Sequence, residues 1–229
     1  MIQDKISQIQ SNISSICQRL GRNPKEVILV GVTKLATVDQ VEEAMAAGVS
    51  HIAENKIQEA QKKFPEVKKS FPNAICHMIG HLQTNKVKAA LEVCDMIQSV
   101  DSLKLAQEIE KQANKSDQRM DILVQVNTSG EKQKYGIDPE YTIPLIEEIS
   151  KFKRIRVLGL MTMALLTDDK KVLRSCFREL KEIRDKVAEA FTGLSNVQMK
   201  YLSMGMTDDY EIALEEGSNM VRIGRAIFL

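Results

Sequence analysis

The sequence predicts an α/β protein: a single (β/α)8 TIM barrel with an extra N-terminal helix. Three observations predict it. Eight short apolar runs recur along the chain, segments with helical spacing fill most gaps between them, and no shift of composition divides the alternation. Strands alternating with helices imply parallel pairing and right-handed crossovers. Eight such units suit a closed barrel of about 250 residues, and this chain has 229. An open, doubly wound sheet is the competing architecture. No internal repeat, low-complexity tract or Pro/Gly linker appears, so residues 1–229 read as one domain.

The elements follow in order. "MIQDKISQIQSNISSICQRLG" places Ile2, Ile6, Ile9, Ile13, Ile16 and Leu20 near helical spacing, which gives an amphipathic helix. Strands are predicted over 27–33, 50–54, 75–80, 95–100, 121–127, 155–161, 199–204 and 219–223. Helices are predicted over 37–47, 55–63, 84–93, 102–114, 139–151 and 168–191, with a short one over 208–216. Thr37 or Asp39 can cap the first of these, and Gly48 can stop it. The chain ends almost on its eighth strand. The N-terminal helix is therefore expected to cover the barrel in place of a helix eight.

Composition narrows the function classes. Lys plus Arg total 32 against 31 Asp plus Glu, which leaves no basic field for nucleic acid. Trp is absent and aromatic residues make up 4%, too few for a base-stacking platform. No apolar run approaches the roughly 20 residues of a membrane span. The first helix lacks the continuous apolar core of a signal peptide. Cys17, Cys76, Cys94 and Cys176 are scattered without CxxC spacing, so reduced thiols in the cytoplasm are expected. His77 and His81 stand four apart on a strand and turn, which does not make a helical metal-binding face. Nothing demands an oligomer, and a monomer is expected.

In a parallel barrel the site lies at the C-terminal strand ends. The first strand, "VILVGVTK", delivers Lys34 there, and the second delivers Asn55. Met161 and Met204, at later strand ends, are expected to line a pocket. In "LSMGMTDDYEIAL", Ser203 and Gly205 follow a strand, and Thr207 and Asp208 open a helix. Small residues let backbone N–H groups approach an anion beside the positive end of a helix. "RIGR", from Arg222 to Arg225, falls at the next strand end, with Gly224 permitting a second close approach. Two ordinary βα turns would read similarly one at a time. Their adjacency after strands seven and eight is where such barrels often bind phosphate. A phosphate site facing a lysine points to pyridoxal 5′-phosphate, whose aldehyde forms a Schiff base with an amine that burial has kept neutral. Arg222 could face the pyridine nitrogen. A guanidinium only donates hydrogen bonds, so it would keep that nitrogen unprotonated and the ring a poor electron sink.

The segments "VGVTK", "AENKIQEA", "HMIGHLQTNK", "IQSVDS", "QVNTSGEKQKYG", "GLMTMA" and "LSMGMTDDYEIALEEGSNMVRIGRAIF" together cover most of the chain. In them the sequence resembles the pyridoxal phosphate homeostasis proteins, a family like the N-terminal domain of alanine racemase. The resemblance implies a barrel holding the cofactor on Lys34, with Asn55 beside the ring and Arg222 at the pyridine nitrogen. It implies phosphate contacts from Ser203, Gly205 and the backbone of Gly224 and Arg225. It also implies a carrier or regulator of the cofactor that influences amino-acid pools, with pyridoxal-phosphate-dependent apoenzymes as candidate partners. Three departures stand out: Leu165 where relatives often carry proline, Arg225 where a small hydroxyl residue is common, and a chain that stops at Leu229, before the usual last residues. Alanine racemases add a β-rich domain with a catalytic tyrosine, and no sequence after strand eight is left to build one. Tyr135, Tyr201 and Tyr210 do not match that tyrosine. A racemase or related amino-acid enzyme remains the alternative, as does a barrel that binds another phosphorylated metabolite.

Overall fold

The computed structural model describes residues 1–131 and 133–229. Eight strands pair in sequence order and close into a parallel barrel. They are β1 (Ile28–Val32), β2 (His51–Glu54), β3 (Ile75–Met78), β4 (Met96–Val100), β5 (Met120–Gln125), β6 (Ile155–Met161), β7 (Val197–Ser203) and β8 (Met220–Ile223). The seam joins β1 to β8, with Val30 opposite Arg222. Closure decides between the two architectures and leaves no unpaired sheet edge.

Alternation along each strand sorts the side chains into two layers. Val30, Val32, Ala53, Met96, Leu123, Leu158, Met161 and Met220 fill the barrel interior. Their neighbours, such as Ile52, Met78, Ile97 and Leu202, pack outward against helices. Those helices include α1 (Ile2–Arg19), α2 (Val38–Ala46), α3 (Ile57–Ser70), α4 (Val87–Val93), α5 (Leu103–Lys115), α6 (Thr142–Ser150), α7 (Lys170–Ala190), α8 (Tyr210–Glu215) and the short α9 (Arg225–Phe228).

Thr37, not Asp39, caps α2. Its hydroxyl accepts from Gln40 N, and the Gln40 side chain accepts from Thr37 N. The predicted end of α3 at residue 63 falls short, because the helix continues through Pro65. Phe64 and Val67 are fully buried on the same face as Ala60, and their packing outweighs the lost hydrogen bond. Four-residue α9 has too little periodicity to be read from sequence.

The N-terminal helix takes the place foreseen for it. α1 packs against α2, α8 and α9, with Ile6, Ile9 and Ile13 buried. Asn12 Nδ2 donates to the Tyr210 hydroxyl at 3.1 Å, and Arg22 donates to the carbonyls of Leu214 and Ser218. No helix among the described residues is long and apolar enough to cross a membrane.

Candidate binding site at the C-terminal rim of the barrel

A cavity of about 430 Å³ opens at the C-terminal strand ends. Small-molecule sites usually fall within roughly 300–1,000 Å³. A groove of about 480 Å³ between α4 and α5 is larger, but helix-surface side chains such as Lys88, Glu92 and Lys115 line it. In a parallel barrel the strand ends carry the chemistry, so the rim cavity is the candidate.

β1 delivers Lys34 to this cavity. Val30 and Val32 point inward, and Lys34 continues their alternation one step past the strand. The end of β1 is held firmly. Thr33 Oγ1 donates to Glu54 Oε1 at 2.7 Å, and Lys63 Nζ donates to Thr33 O at 2.7 Å and to Glu54 Oε1 at 2.9 Å. Glu54 is fully buried, so this ion pair is a staple between β1, β2 and α3. Lys34 itself is exposed, contrary to the buried amine expected from sequence. It sits in the turn beyond Val32, on the wall of an open cavity rather than in the core.

Asn55 lines the cavity from the turn before α3. Its backbone packs against Gly80 so closely that a Cβ there would lie 2.1 Å from Asn55 O. Only glycine fits. Ser99 Oγ fixes Gly80 by donating to its carbonyl at 2.6 Å.

Arg222 reaches the cavity from β8 while remaining only 3% exposed. Its Nη1 donates to Ser203 Oγ at 2.7 Å and its Nη2 to Thr162 O at 2.8 Å. Burial lowers its pKa to about 10, with the Asp209 carboxylate opposing the shift. The guanidinium is therefore cationic at neutral pH. Among the described residues neither Arg222 nor Lys34 forms an ion pair.

The remaining predicted residues divide. Gly224 and Arg225 line the cavity. Arg225 pairs with Asp208, and Ala226 N donates to Thr207 Oγ1 at 3.5 Å, so the turns after β7 and β8 are tied together. Ser203 and Gly205 lie behind the cavity wall. The Ser203 hydroxyl is fully buried between Arg222 and Gln98. Gly205 has φ +96°, and a Cβ on it would come within 2.7 Å of Ala213 Cβ in α8. Its carbonyl accepts from Arg222 N at 2.9 Å.

Met161 does not line the cavity; it packs fully buried inside the barrel, and Met204 packs in the outer layer. Met163 and Met206, two residues further on, line it instead. The cavity begins above the last paired residues, so the next inward position takes the lining role. Sequence reasoning also passed over His81 and Tyr135 as partners. They stack at the mouth with ring centroids 4.1 Å apart and planes 13° from parallel. Asp101 Oδ2 stands 3.9 Å from His81 Nδ1, and burial raises the Asp101 pKa against the pull of His81. Nothing in sequence spacing announces this stack, because it depends on the path of the loop after β5.

These features define a class: a closed parallel barrel in which a lysine after β1 and a buried arginine on β8 share one rim cavity. The model of the family described as alanine racemase, N-terminal domain, matches residues 5–229. The pyridoxal phosphate homeostasis protein of Aquifex aeolicus is 36% identical over 225 residues, covering 98% of this chain and 96% of that one. Among solved structures, a protein from Bifidobacterium adolescentis is 33% identical with a TM-score of 0.95, covering 99% of this chain and 94% of that one. PipY of Synechococcus elongatus with pyridoxal phosphate bound is 26% identical with a TM-score of 0.86, covering 100% of both chains. The chain belongs to the alanine racemase N-terminal-domain family and, within it, to the pyridoxal phosphate homeostasis proteins.

Proposed function

We propose that this chain binds pyridoxal 5′-phosphate as a Schiff base on Lys34 and acts as a carrier or regulator in homeostasis of that cofactor. The observation that carries the proposal is the meeting of Lys34 and Arg222, both without ion-pair partners among the described residues, in one rim cavity. PipY, of the same fold, holds the same cofactor in its solved structure.

The residues present fit the group. Lys34 offers an amine for the aldehyde. Arg222 offers donors for the lone pair of the pyridine nitrogen. Thr207, Gly224 and Arg225 line the end where two βα turns meet, which suits the phosphate, with Ser203 and Gly205 supporting those turns from behind. Asn55 and Met163 line the cavity where the ring would lie. When bound, the cofactor supplies an electrophilic carbon and a ring able to withdraw electrons. Arg222 stays cationic and offers no acceptor to a protonated ring nitrogen, so it keeps that nitrogen unprotonated and the withdrawal weak. That favours holding the cofactor over turning substrates over. The role implies apoenzymes as recipients and an effect on amino-acid pools. Four free, buried cysteines suit the reducing cytoplasm.

The test is the absorption spectrum during titration with the cofactor. The parent should develop the imine band. Lys34→Ala should fold, with stability changed by less than about 0.5 kcal/mol, lose the band and retain weak binding through the phosphate contacts. A variant spectrum identical to the parent's would contradict the proposal.

A further inference from the structure

Beneath the cavity a row of hydrogen bonds descends through the barrel interior. Arg222 Nη1 lies 2.7 Å from Ser203 Oγ, and Ser203 Oγ lies 2.7 Å from Gln98 Oε1. Gln98 Nε2 lies 2.9 Å from His77 Nδ1, and His77 Nε2 lies 2.9 Å from His51 Nδ1. Ser203, Gln98 and His77 are fully buried. His51, the first residue of β2, is half-buried and borders a cleft at the N-terminal end of the barrel.

One obligatory donor starts the row, and the Ser203 hydroxyl proton, donated to Gln98, gives it a direction. A guanidinium has no acceptor, so Ser203 accepts from Arg222 and its own proton goes to the Gln98 oxygen. The Gln98 amide nitrogen then faces His77, whose Nδ1 must accept. His77 carries its proton on Nε2 and donates it to His51 Nδ1. Turning Gln98 around would leave Ser203 Oγ accepting twice with its own proton unused, so the orientation shown is the one that uses every proton of the row. Such fully satisfied buried networks rigidify the groups they contain.

We propose that Gln98 and His77 are positioning residues for Arg222, which together with Ser203 hold the guanidinium at the angle that meets the pyridine nitrogen of the cofactor. The pyridine half of this statement rests on the reading of the cavity given above; the restraint on Arg222 does not. Burial keeps His77 neutral, as the row requires, by lowering its pKa to about 3, and His51 adds to the effect.

Two readouts test it. In the cofactor-free protein, NMR of the imidazole and guanidinium nitrogens should show His77 as the neutral Nε2–H tautomer and Arg222 N–H groups protected from solvent exchange. Gln98→Leu and His77→Leu should each lower that protection about tenfold. His77→Asn should preserve it, because its amide oxygen can stand in for Nδ1. Ser203→Ala, a smaller change nearer the arginine, should repeat the loss and serves if a leucine variant fails to fold. In the cofactor-loaded protein, the pH midpoint of the imine absorbance should move by about one unit in the leucine variants and return in His77→Asn. Parent-like exchange at Arg222 in the leucine variants and in Ser203→Ala, or an unmoved midpoint in variants that load cofactor, would overturn the proposal. A parent that forms no imine would refute the cofactor reading and the pyridine half with it, while the exchange data would still decide whether the row holds Arg222.

Discussion

Arg222 shows how a single residue can set what a cofactor does. Its guanidinium is buried against neutral acceptors, Ser203 Oγ and Thr162 O, and keeps donors for the cavity. Facing a pyridine nitrogen, it would stabilise the unprotonated ring. Arg222→Glu would instead favour the protonated ring. The parent should interconvert alanine enantiomers at no more than background. The variant should exchange the α-proton of added amino acids on the order of tenfold faster, with a shifted absorption band. Deuterium exchange followed by mass spectrometry measures this, and parent-like exchange and spectra would show that Arg222 is misplaced in the proposal. At this scale the sequence was informative where strand ends converge: Lys34, Asn55, Arg222, Gly224 and Arg225 all line the cavity. It was uninformative about depth. Whether Met161 or Met163 faces the cavity depends on where β6 stops, and no local signal in "GLMTMA" marks that point.

At the scale of elements, the unit β1–β2–α3 places the lysine. Lys63 on α3 reaches back to Glu54 and to the carbonyl of Thr33, the residue before Lys34. The Glu54 carboxylate is fully buried, and its Oε2 already lacks a partner. Removing Lys63 would strand a buried charge, which typically costs about 3–5 kcal/mol. Lys63→Met should therefore lower unfolding stability by about 3 kcal/mol in urea titration, and Glu54→Gln in the same chain should recover much of it. A loss below about 1 kcal/mol would mean that the pair is solvated in solution. The helix in this unit was legible only up to Lys63. Pro65 reads as a stop in one dimension, whereas the barrel surface that buries Phe64 and Val67 exists only after folding.

For the whole molecule, the alternation of eight strands with helices made the barrel legible, and the isoleucines of α1 made its cover legible. The buried polar row was not legible, because His51, His77, Gln98 and Ser203 come from four strands and meet only through closure and register. That row has a consequence for stability. In the unfolded chain His77 titrates near 6.5, and in the folded chain burial holds its pKa at about 3. Between these values the unfolded chain binds a proton that the folded chain refuses. Stability from this group is thus full above pH 6.5 and falls as pH drops, by up to about 1.4 kcal/mol per unit, until about pH 3. The His51 pKa is also lowered by burial and acts in the same direction. Urea unfolding between about pH 7 and pH 5.5, above most carboxylate titration, should show this slope in the parent and a shallower one in His77→Asn. Equal slopes would mean that His77 is not buried neutral.

Whether Lys34 carries the cofactor is decided most sharply by trapping. The parent protein, supplied with pyridoxal 5′-phosphate, is reduced with borohydride, digested and mapped by mass spectrometry. Label concentrated on the peptide that contains Lys34, and absent from that peptide in Lys34→Ala, is the predicted result. Label mainly on Lys86 or Lys134, or no label despite added cofactor, would contradict it.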